Sequence, residues 1–292
     1  MFGLPSFCEA FYSNHTTDGT CAFQGFEINE ILFQGKSDYQ KMAIYTNDEL
    51  KKVLVLDGII QTTTSDEFIY HEMMTHVPLF SHSNPKKALI IGGGDGGCLR
   101  EVLRHKTLEK VVMVDIDKMV IDACVEHLPE INLGGDIYKD PRTELIINDA
   151  AEFIKTTDDK FDVIIIDSTD CFGVGERLFT YEFYKQLKSI LSDEGYISCQ
   201  GGVPFFQKGN MGRTIHLLQQ AEMQAGCYIS VVPTYYGGYA AFGYASNKTE
   251  EISFSLDDLD TRFEKAKIET RHYTPEIHLA SFVLPPWLQE YI

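Results

Sequence analysis

The stretch Ala88–Arg104, ALIIGGGDGGCLREVLR, decides the fold. Its apolar opening, Ala88–Ile91, has the character of a buried parallel strand, which is covered on both faces and needs no polar alternation. Glycines follow, and then Leu99, Val102 and Leu103 fall on one face of a helix. Strand, glycine-rich turn and helix together mark the nucleotide-binding turn of an α/β fold. Gly92, Gly94 and Gly97 match the spacing of the dinucleotide fingerprint, and Asp115 stands about 20 residues beyond, where such folds carry a ribose-binding acid. Asp95 breaks the match. It sits where a pyrophosphate would lie against the helix N-terminus, and a carboxylate there repels phosphate and attracts a cation. The loop therefore suits an adenosine-bearing ligand that is positive rather than phosphorylated. Sulfonium nucleosides such as S-adenosylmethionine meet that description.

Downstream, the α/β unit repeats. Strands are expected at Val111–Val114, Glu144–Ile147, Phe161–Ile166 and Tyr196–Cys199. Helices are expected at Lys118–His127, from Ala151 to Lys155, at Leu178–Leu191 and at Met211–Ala225. Strands Tyr228–Val232 and Tyr239–Tyr244 join across Tyr235-Tyr236-Gly237-Gly238, a hairpin signal, and Leu256–Lys267 is a last helix. A hairpin closing an otherwise parallel sheet predicts a methyltransferase-like (Rossmann-like) α/β sheet. A dinucleotide dehydrogenase would continue with parallel crossovers.

Upstream, residues 1–21 show little pattern. From Ala22 to Ile60 partial alternation predicts a small antiparallel β domain, with turns at Gly35 and Asp57-Gly58 and Gln40 at the start of a strand. Thr64-Ser65-Asp66-Glu67 has the form of a capping box opening a helix that carries Phe68 to Val77, with Pro78 near its end. The predicted division is an N-terminal β-strand domain over 1–62 and a Rossmann-like catalytic domain over 63–292. Within the helix, His71-Glu72 and His76 invite a metalloprotease reading, which fails because the second histidine is at i+5 and leaves the shared face. Taken alone, His71 has the profile of a structural or surface histidine.

Composition narrows the partners. The 292 residues carry a formal charge of −18, which disfavours nucleic acid and anionic membrane and is compatible with a cationic substrate. No apolar run reaches the roughly 18 residues a membrane helix needs, and MFGLPSFCEAFYS has no signal-peptide character. Seven scattered cysteines without a C-x-x-C suit a reducing cytoplasm and argue against a disulfide frame or zinc cluster.

In open parallel sheets the ligand sits at the carboxyl ends of the strands. Here Asp95, Asp115, Asp149 and Asp167 with Asp170 stand at four such ends. Any one of them taken singly is explained as a helix cap. Together around one crevice they repel one another unless cations offset them, and no Lys or Arg run lies in these turns. Hard-metal sites draw paired ligands from closer positions, so a bound organic polycation is the better occupant and no metal is expected. By position, Asp115 reaches ribose, Asp149 and Ala150 reach adenine, and Asp95, Asp167 and Asp170 surround the reacting end. One of these three acids can take a proton from an amine nucleophile.

Four segments together resemble the polyamine aminopropyltransferases, the spermidine synthases in particular. They are Gln61–Leu79 (QTTTSDEFIYHEMMTHVPL), the GGGDGG loop at 92–97, Asp167-Ser168-Thr169-Asp170 and Pro233–Gly238 (PTYYGG). The resemblance runs from about residue 22 to the C-terminus. It implies that decarboxylated S-adenosylmethionine donates an aminopropyl group to putrescine, giving spermidine and 5′-methylthioadenosine, with the donor a co-substrate and no separate cofactor. It assigns Asp167 as the base that deprotonates the amine, with Ser168, Thr169 and Asp170 completing its loop. Gln40, Gly92, Gly94, Asp115, Asp149, Ala150 and Val174 are implied at the donor. Tyr70, His71, Asp95, Asp167, Ser168, Thr169, Asp170 and Tyr235 are implied along the polyamine. The segment after Asp170 is implied to be a lid, and the assembly a cytoplasmic homodimer. The family carries Glu where Asp115 stands and prolines where Cys171 and Val174 stand, which implies weaker donor binding or slower lid closure here. Three other functions remain open: a small-molecule methyltransferase, a nicotinamide dehydrogenase and a catalytically idle polyamine-binding protein.

Overall fold

A computed structural model describes residues 5–11, 22–169, 173–207, 209–248 and 253–292. Six strands come first: β1 (Ser6–Phe11), β2 (Ala22–Glu27), β3 (Glu30–Lys36), β4 (Lys41–Asn47), β5 (Lys51–Leu56) and β6 (Ile59–Thr63). Then follow α1 (Glu67–Ser81), β7 (Lys87–Gly92), α2 (Gly97–Leu103), β8 (Lys110–Asp115), α3 (Lys118–His127), α4 (Pro129–Asn132) and β9 (Thr143–Ile147). The chain continues with α5 (Ala150–Thr156), β10 (Phe161–Asp167), α6 (Tyr181–Ile190), β11 (Leu191–Gln200), α7 (Asn210–Gln220), β12 (Gln224–Val231) and β13 (Tyr239–Ser246). It ends with α8 (Leu256–Ala266), α9 (Pro275–Ser281) and α10 (Pro286–Gln289).

The large sheet has the order β12-β13-β11-β10-β7-β8-β9. β9 through β11 run parallel, and β13 and β12 close the sheet antiparallel, as the hairpin signal predicts. Successive side chains of β7 part to opposite faces. Ala88 and Ile90 join the apolar cluster under α1 and α2, while Leu89 and Ile91 join the cluster that includes Ile154 of α5 and Leu187 of α6. The chain returns from β9 at one edge to set β10 beside β7. That reversal makes the junction of β7 and β10 the point where a crevice opens at the strand ends. The glycine loop and Asp167 both lie there.

The N-terminal strands form two antiparallel sheets, β1-β2 and β3-β4-β5-β6. Met42, Ile44, Leu54 and Leu56 of the four-stranded sheet pack on Val120, Ala123 and Cys124 of α3. This docking brings the residue before β4, Gln40, to the end of β8. Among the described residues no helix is long and apolar enough to cross a membrane.

Several local expectations are corrected. Ser6–Phe11, in a region without evident pattern, pairs with β2. Gly35 lies inside β3 opposite Met42 rather than in a turn. The turn is at Ser37–Gln40, where the Ser37 hydroxyl accepts from the N–H groups of Tyr39 and Gln40. The predicted Leu178–Leu191 helix starts instead at Tyr181, because Thr180 accepts the Phe183 N–H and caps it, and Leu191 already belongs to β11. The predicted Met211–Ala225 helix stops at Gln220. Glu222 adopts a left-handed φ of 59°, and Ala225 pairs in β12. The expected Thr64-to-Glu67 capping box does not form: α1 begins after Asp66, and the Asp66 side chain makes no cap hydrogen bond. It accepts instead from the Thr63 hydroxyl at 2.6 Å and from the Thr234 N–H and hydroxyl at 2.8 and 2.6 Å. A buried carboxylate with three donors ties the PTYYGG loop to the start of α1, and removing it would leave a buried N–H unpaired at about 1–3 kcal/mol.

Candidate active site

The glycine loop is shaped by how close its neighbours come. Gly92 has φ +78°, and a Cβ there would stand 2.3 Å from the Asp167 carbonyl oxygen. That same oxygen accepts the Gly93 N–H at 2.9 Å, which fixes the loop against the end of β10. At Gly97 a Cβ would lie 2.2 Å from His71 Cε1, so the absence of a side chain there is what lets the imidazole lie against α2. A cavity of about 680 Å³ opens over this junction. Gly92, Gly93, Gly94 and Asp95 line it from the loop.

The other strand ends complete the wall. Asp115, Asp149 with Ala150, and Asp167 with Ser168 and Thr169 all face the cavity. Gln40 reaches it from the N-terminal sheet, Tyr70 and His71 from α1, and Tyr235 from the hairpin loop. The sequence-predicted residues therefore meet in one place, with two exceptions. Asp170 lies outside the described residues. Val174 belongs to a short 3₁₀ turn, Gly173–Leu178.

Each acid has its own partners. Asp167 Oδ1 accepts the Tyr70 hydroxyl at 2.8 Å. Asp95 Oδ1 accepts the Gly97 N–H at 2.7 Å, and its Oδ2 lies 3.5 Å from His71 Nε2. Asp115 Oδ1 accepts the Asp117 N–H at 2.8 Å. Asp149 caps α5 through the Ala151 N–H at 2.8 Å and meets Arg177 with its second oxygen at 2.5 Å. The offsetting cations thus exist, but not as a run in the turns. His71 comes from α1, and Arg177 from the 3₁₀ turn.

Electrostatics follow from this packing. Burial, reinforced by the Asp95 charge, raises the pKa of Asp167, while His71, Tyr70 and the Cys98 thiol oppose the rise. Burial also pushes Asp115 up to about 6, with Asp117, Asp167 and Asp95 adding to it against the Asp117 N–H. For His71 burial works downward, but Asp95 and Glu67 outweigh it and hold the ring at about 10. Burial and the Asp167 charge lift the Tyr70 phenol well above its ordinary value, so it stays a donor.

His71, Cys98 and Asp167 place potential metal-ligand atoms within 4.8 Å of one another. Their chemistry does not suit a metal. Both ring nitrogens of His71 face carboxylates.

Several further residues, none of them assigned to the site from the sequence, help to build it. Asp117 accepts from Ser37 Oγ at 2.7 Å and Gln40 Nε2 at 3.0 Å, which orients Gln40. Glu67 and Arg100 stand behind His71. Glu67 precedes His71 by four residues on one helix, a spacing that signals side-chain contact. Asp117, Arg100 and Arg177 carry no comparable local signal.

Comparison with known proteins places these features in context. Residues 67–255 match the spermine/spermidine synthase domain, and residues 13–64 match the spermidine synthase tetramerisation domain. Polyamine aminopropyltransferases from Ruegeria sp. (strain TM1040) and Erwinia tasmaniensis are each 44% identical over 91% of the chain, covering 93% and 92% of those proteins. A spermidine synthase crystallised with the transition-state analogue AdoDATO superposes with a TM-score of 0.89 at 36% identity, over 98% of this chain and 94% of that one. The spermidine synthase of Thermotoga maritima gives a TM-score of 0.86 at 35% identity, over 98% and 93%.

Proposed function

Because the chain belongs to the spermine/spermidine synthase family, we propose that it transfers the aminopropyl group of decarboxylated S-adenosylmethionine to putrescine, releasing spermidine and 5′-methylthioadenosine. The observation that carries the chemistry is the meeting of Asp95, Asp115, Asp149 and Asp167 on one cavity with His71 and Tyr70 between them. Such a wall favours a donor that is purely cationic at its reacting end. Intact S-adenosylmethionine would bring a carboxylate toward Asp95 and Asp167 and be repelled.

The reaction is a direct displacement. The amine nitrogen of putrescine forms a bond to the aminopropyl carbon next to sulfur. The C–S bond breaks, and its electron pair returns to sulfur, which leaves as a neutral thioether. An ammonium has no lone pair, so a proton must leave the nitrogen, and Asp167 accepts it. Its raised pKa makes it a stronger base than an exposed carboxylate, while the Tyr70 hydroxyl fixes the oxygen at 2.8 Å. Asp115 accepts from the ribose hydroxyls, Asp149 and Ala150 meet adenine, and Gln40 and the backbone at Gly92 and Gly94 contact the nucleoside. Asp95, His71, Ser168, Thr169 and Tyr235 line the path of the polyamine, and Asp170 completes it. The donor carries its own leaving group, so this chemistry calls for no cofactor or metal.

Assembly runs through the N-terminal β-strand domain, 1–62, joined to the catalytic domain, 63–292; the match to a tetramerisation domain supports this. A homodimer is the smallest such assembly, and light scattering distinguishes it from a tetramer. Free thiols at Cys98, Cys124, Cys199 and Cys227 suit a cytoplasmic location.

Incubation with decarboxylated donor and putrescine tests the function by release of methylthioadenosine. Methyl transfer from intact S-adenosylmethionine instead would refute it. The nucleoside half has its own prediction. Asp115 accepts from both ribose hydroxyls, and with charge-assisted strength, only when ionised, and its carboxyl is held near 6. Methylthioadenosine affinity should therefore fall as the pH drops through that value, by up to about tenfold per pH unit. Calorimetric titration between pH 8 and 5 measures this, and an affinity independent of pH removes Asp115 from the role.

A further inference from the structure

We propose that Glu67 and Arg100 are positioning residues for the acceptor-amine end of the site, acting through His71, which they hold as an imidazolium that braces Asp95. The proposal rests on Asp95 and Asp167 serving the amine, as argued above. Four side chains stand in a row of alternating sign, from the back of α2 to the cavity. Arg100 grips Glu67 with both terminal nitrogens, at 3.0 and 2.9 Å. The guanidinium is itself fixed by the Ile131 carbonyl at 2.9 Å and by Glu101 at 2.8 Å. Glu67 Oε2 lies 2.5 Å from His71 Nδ1, and Asp95 Oδ2 lies 3.5 Å from His71 Nε2. The His71 side chain is only 1% exposed and Glu67 only 8%.

A neutral imidazole has one N–H and cannot donate to two carboxylates. With an acid on each nitrogen, the ring satisfies both only when doubly protonated. Every element packed on His71 agrees with that state. α1 presents Glu67 and the neutral Tyr70 phenol, the glycine loop presents Asp95, α2 presents the neutral Cys98 thiol with Arg100 behind Glu67, and β10 presents Asp167. The imidazolium then offsets the repulsion between Asp95 and Asp167 and aims the Asp95 carboxylate. Glu67 supplies the charge that keeps the proton on the ring, and Arg100 keeps Glu67 ionised and in place.

The test has two arms. In the wild-type protein, ¹⁵N spectra of the His71 ring, assigned with His71→Gln, should show both nitrogens protonated at pH 8. A ring that titrates near 6.5 overturns the proposal whatever any variant does. In Glu67→Gln, the ring should titrate between pH 6 and 9. The ratio of variant to wild-type kcat/KM for putrescine should fall across the same window by about tenfold, the scale of one charge-assisted hydrogen bond. Methylthioadenosine affinity should stay within about twofold of wild type. A uniform loss at every pH, or an equal loss of nucleoside affinity, would mean a merely structural role and overturn the proposal. Absence of methylthioadenosine release by the wild-type enzyme would sink the aminopropyl reaction instead and leave the ring's protonation untouched.

Discussion

Asp167→Asn is expected to lower kcat by about 10²–10⁴-fold, the usual contribution of a positioned general base, with the donor KM little changed. The substitution is nearly isosteric. It keeps the backbone carbonyl that accepts the Gly93 N–H at 2.9 Å, so the loop and the end of β10 stay joined. It also keeps an oxygen able to accept the Tyr70 hydroxyl. What it removes is an atom that can take the ammonium's proton. Steady-state release of methylthioadenosine measures the effect, and a loss under threefold takes Asp167 out of the role. Because burial and Asp95 raise the Asp167 pKa, with His71, Tyr70 and Cys98 opposing, wild-type kcat should decline on acidification at a higher pH than for an exposed carboxylate. The variant should lack that limb.

Gly97→Ala is expected to cost about 10²-fold in kcat/KM for putrescine, the scale of a displacement of about 1 Å at a catalytic centre. A Cβ at this position would lie 2.2, 2.3 and 2.5 Å from Cε1, Nδ1 and Nε2 of His71. The ring cannot step aside cheaply, because Glu67 and Asp95 hold it from two sides and it is almost wholly buried. Overpacking of this kind also destabilises by roughly 1–3 kcal/mol, visible as a lower melting temperature. Gly226→Ala serves as the control, since nothing stands within 4 Å of its Cβ position. Wild-type kinetics in Gly97→Ala would mean that the imidazole plays no part in placing the amine.

The large sheet was legible because its signals are local. An apolar run followed by GGGDGG gives β7, the loop and α2, and the tyrosine and glycine pairs at 235–238 give the closing hairpin. The acids at the strand ends were legible by position, once they were taken together. Whether each was a cap or a site residue was a false choice. Asp149 caps α5 with one oxygen and lines the cavity, and Asp117 caps α3 through Met119 while holding Gln40. What the sequence hid were pairings between distant segments. Asp66 meets Thr234 across 168 positions, Arg100 meets Glu67 across 33, and Arg177 meets Asp149 across 28. No periodicity or spacing encodes such contacts, because they depend on how finished elements dock. The helix boundaries differ for a local reason instead. Thr180 as a cap and Glu222 in a left-handed turn override the apolar pattern around them.

The central claim is that anionic walls choose the guest by charge. The most direct measurement is the equilibrium affinity of the ligand-free enzyme for two nucleosides that differ by a single carboxylate, S-adenosylmethionine and its decarboxylated form. The account predicts at least about 10²-fold tighter binding of the decarboxylated donor, from like-charge repulsion worth several kcal/mol, and a narrower gap in Asp95→Asn. Equal affinities, or a preference for the carboxylated form, would contradict it.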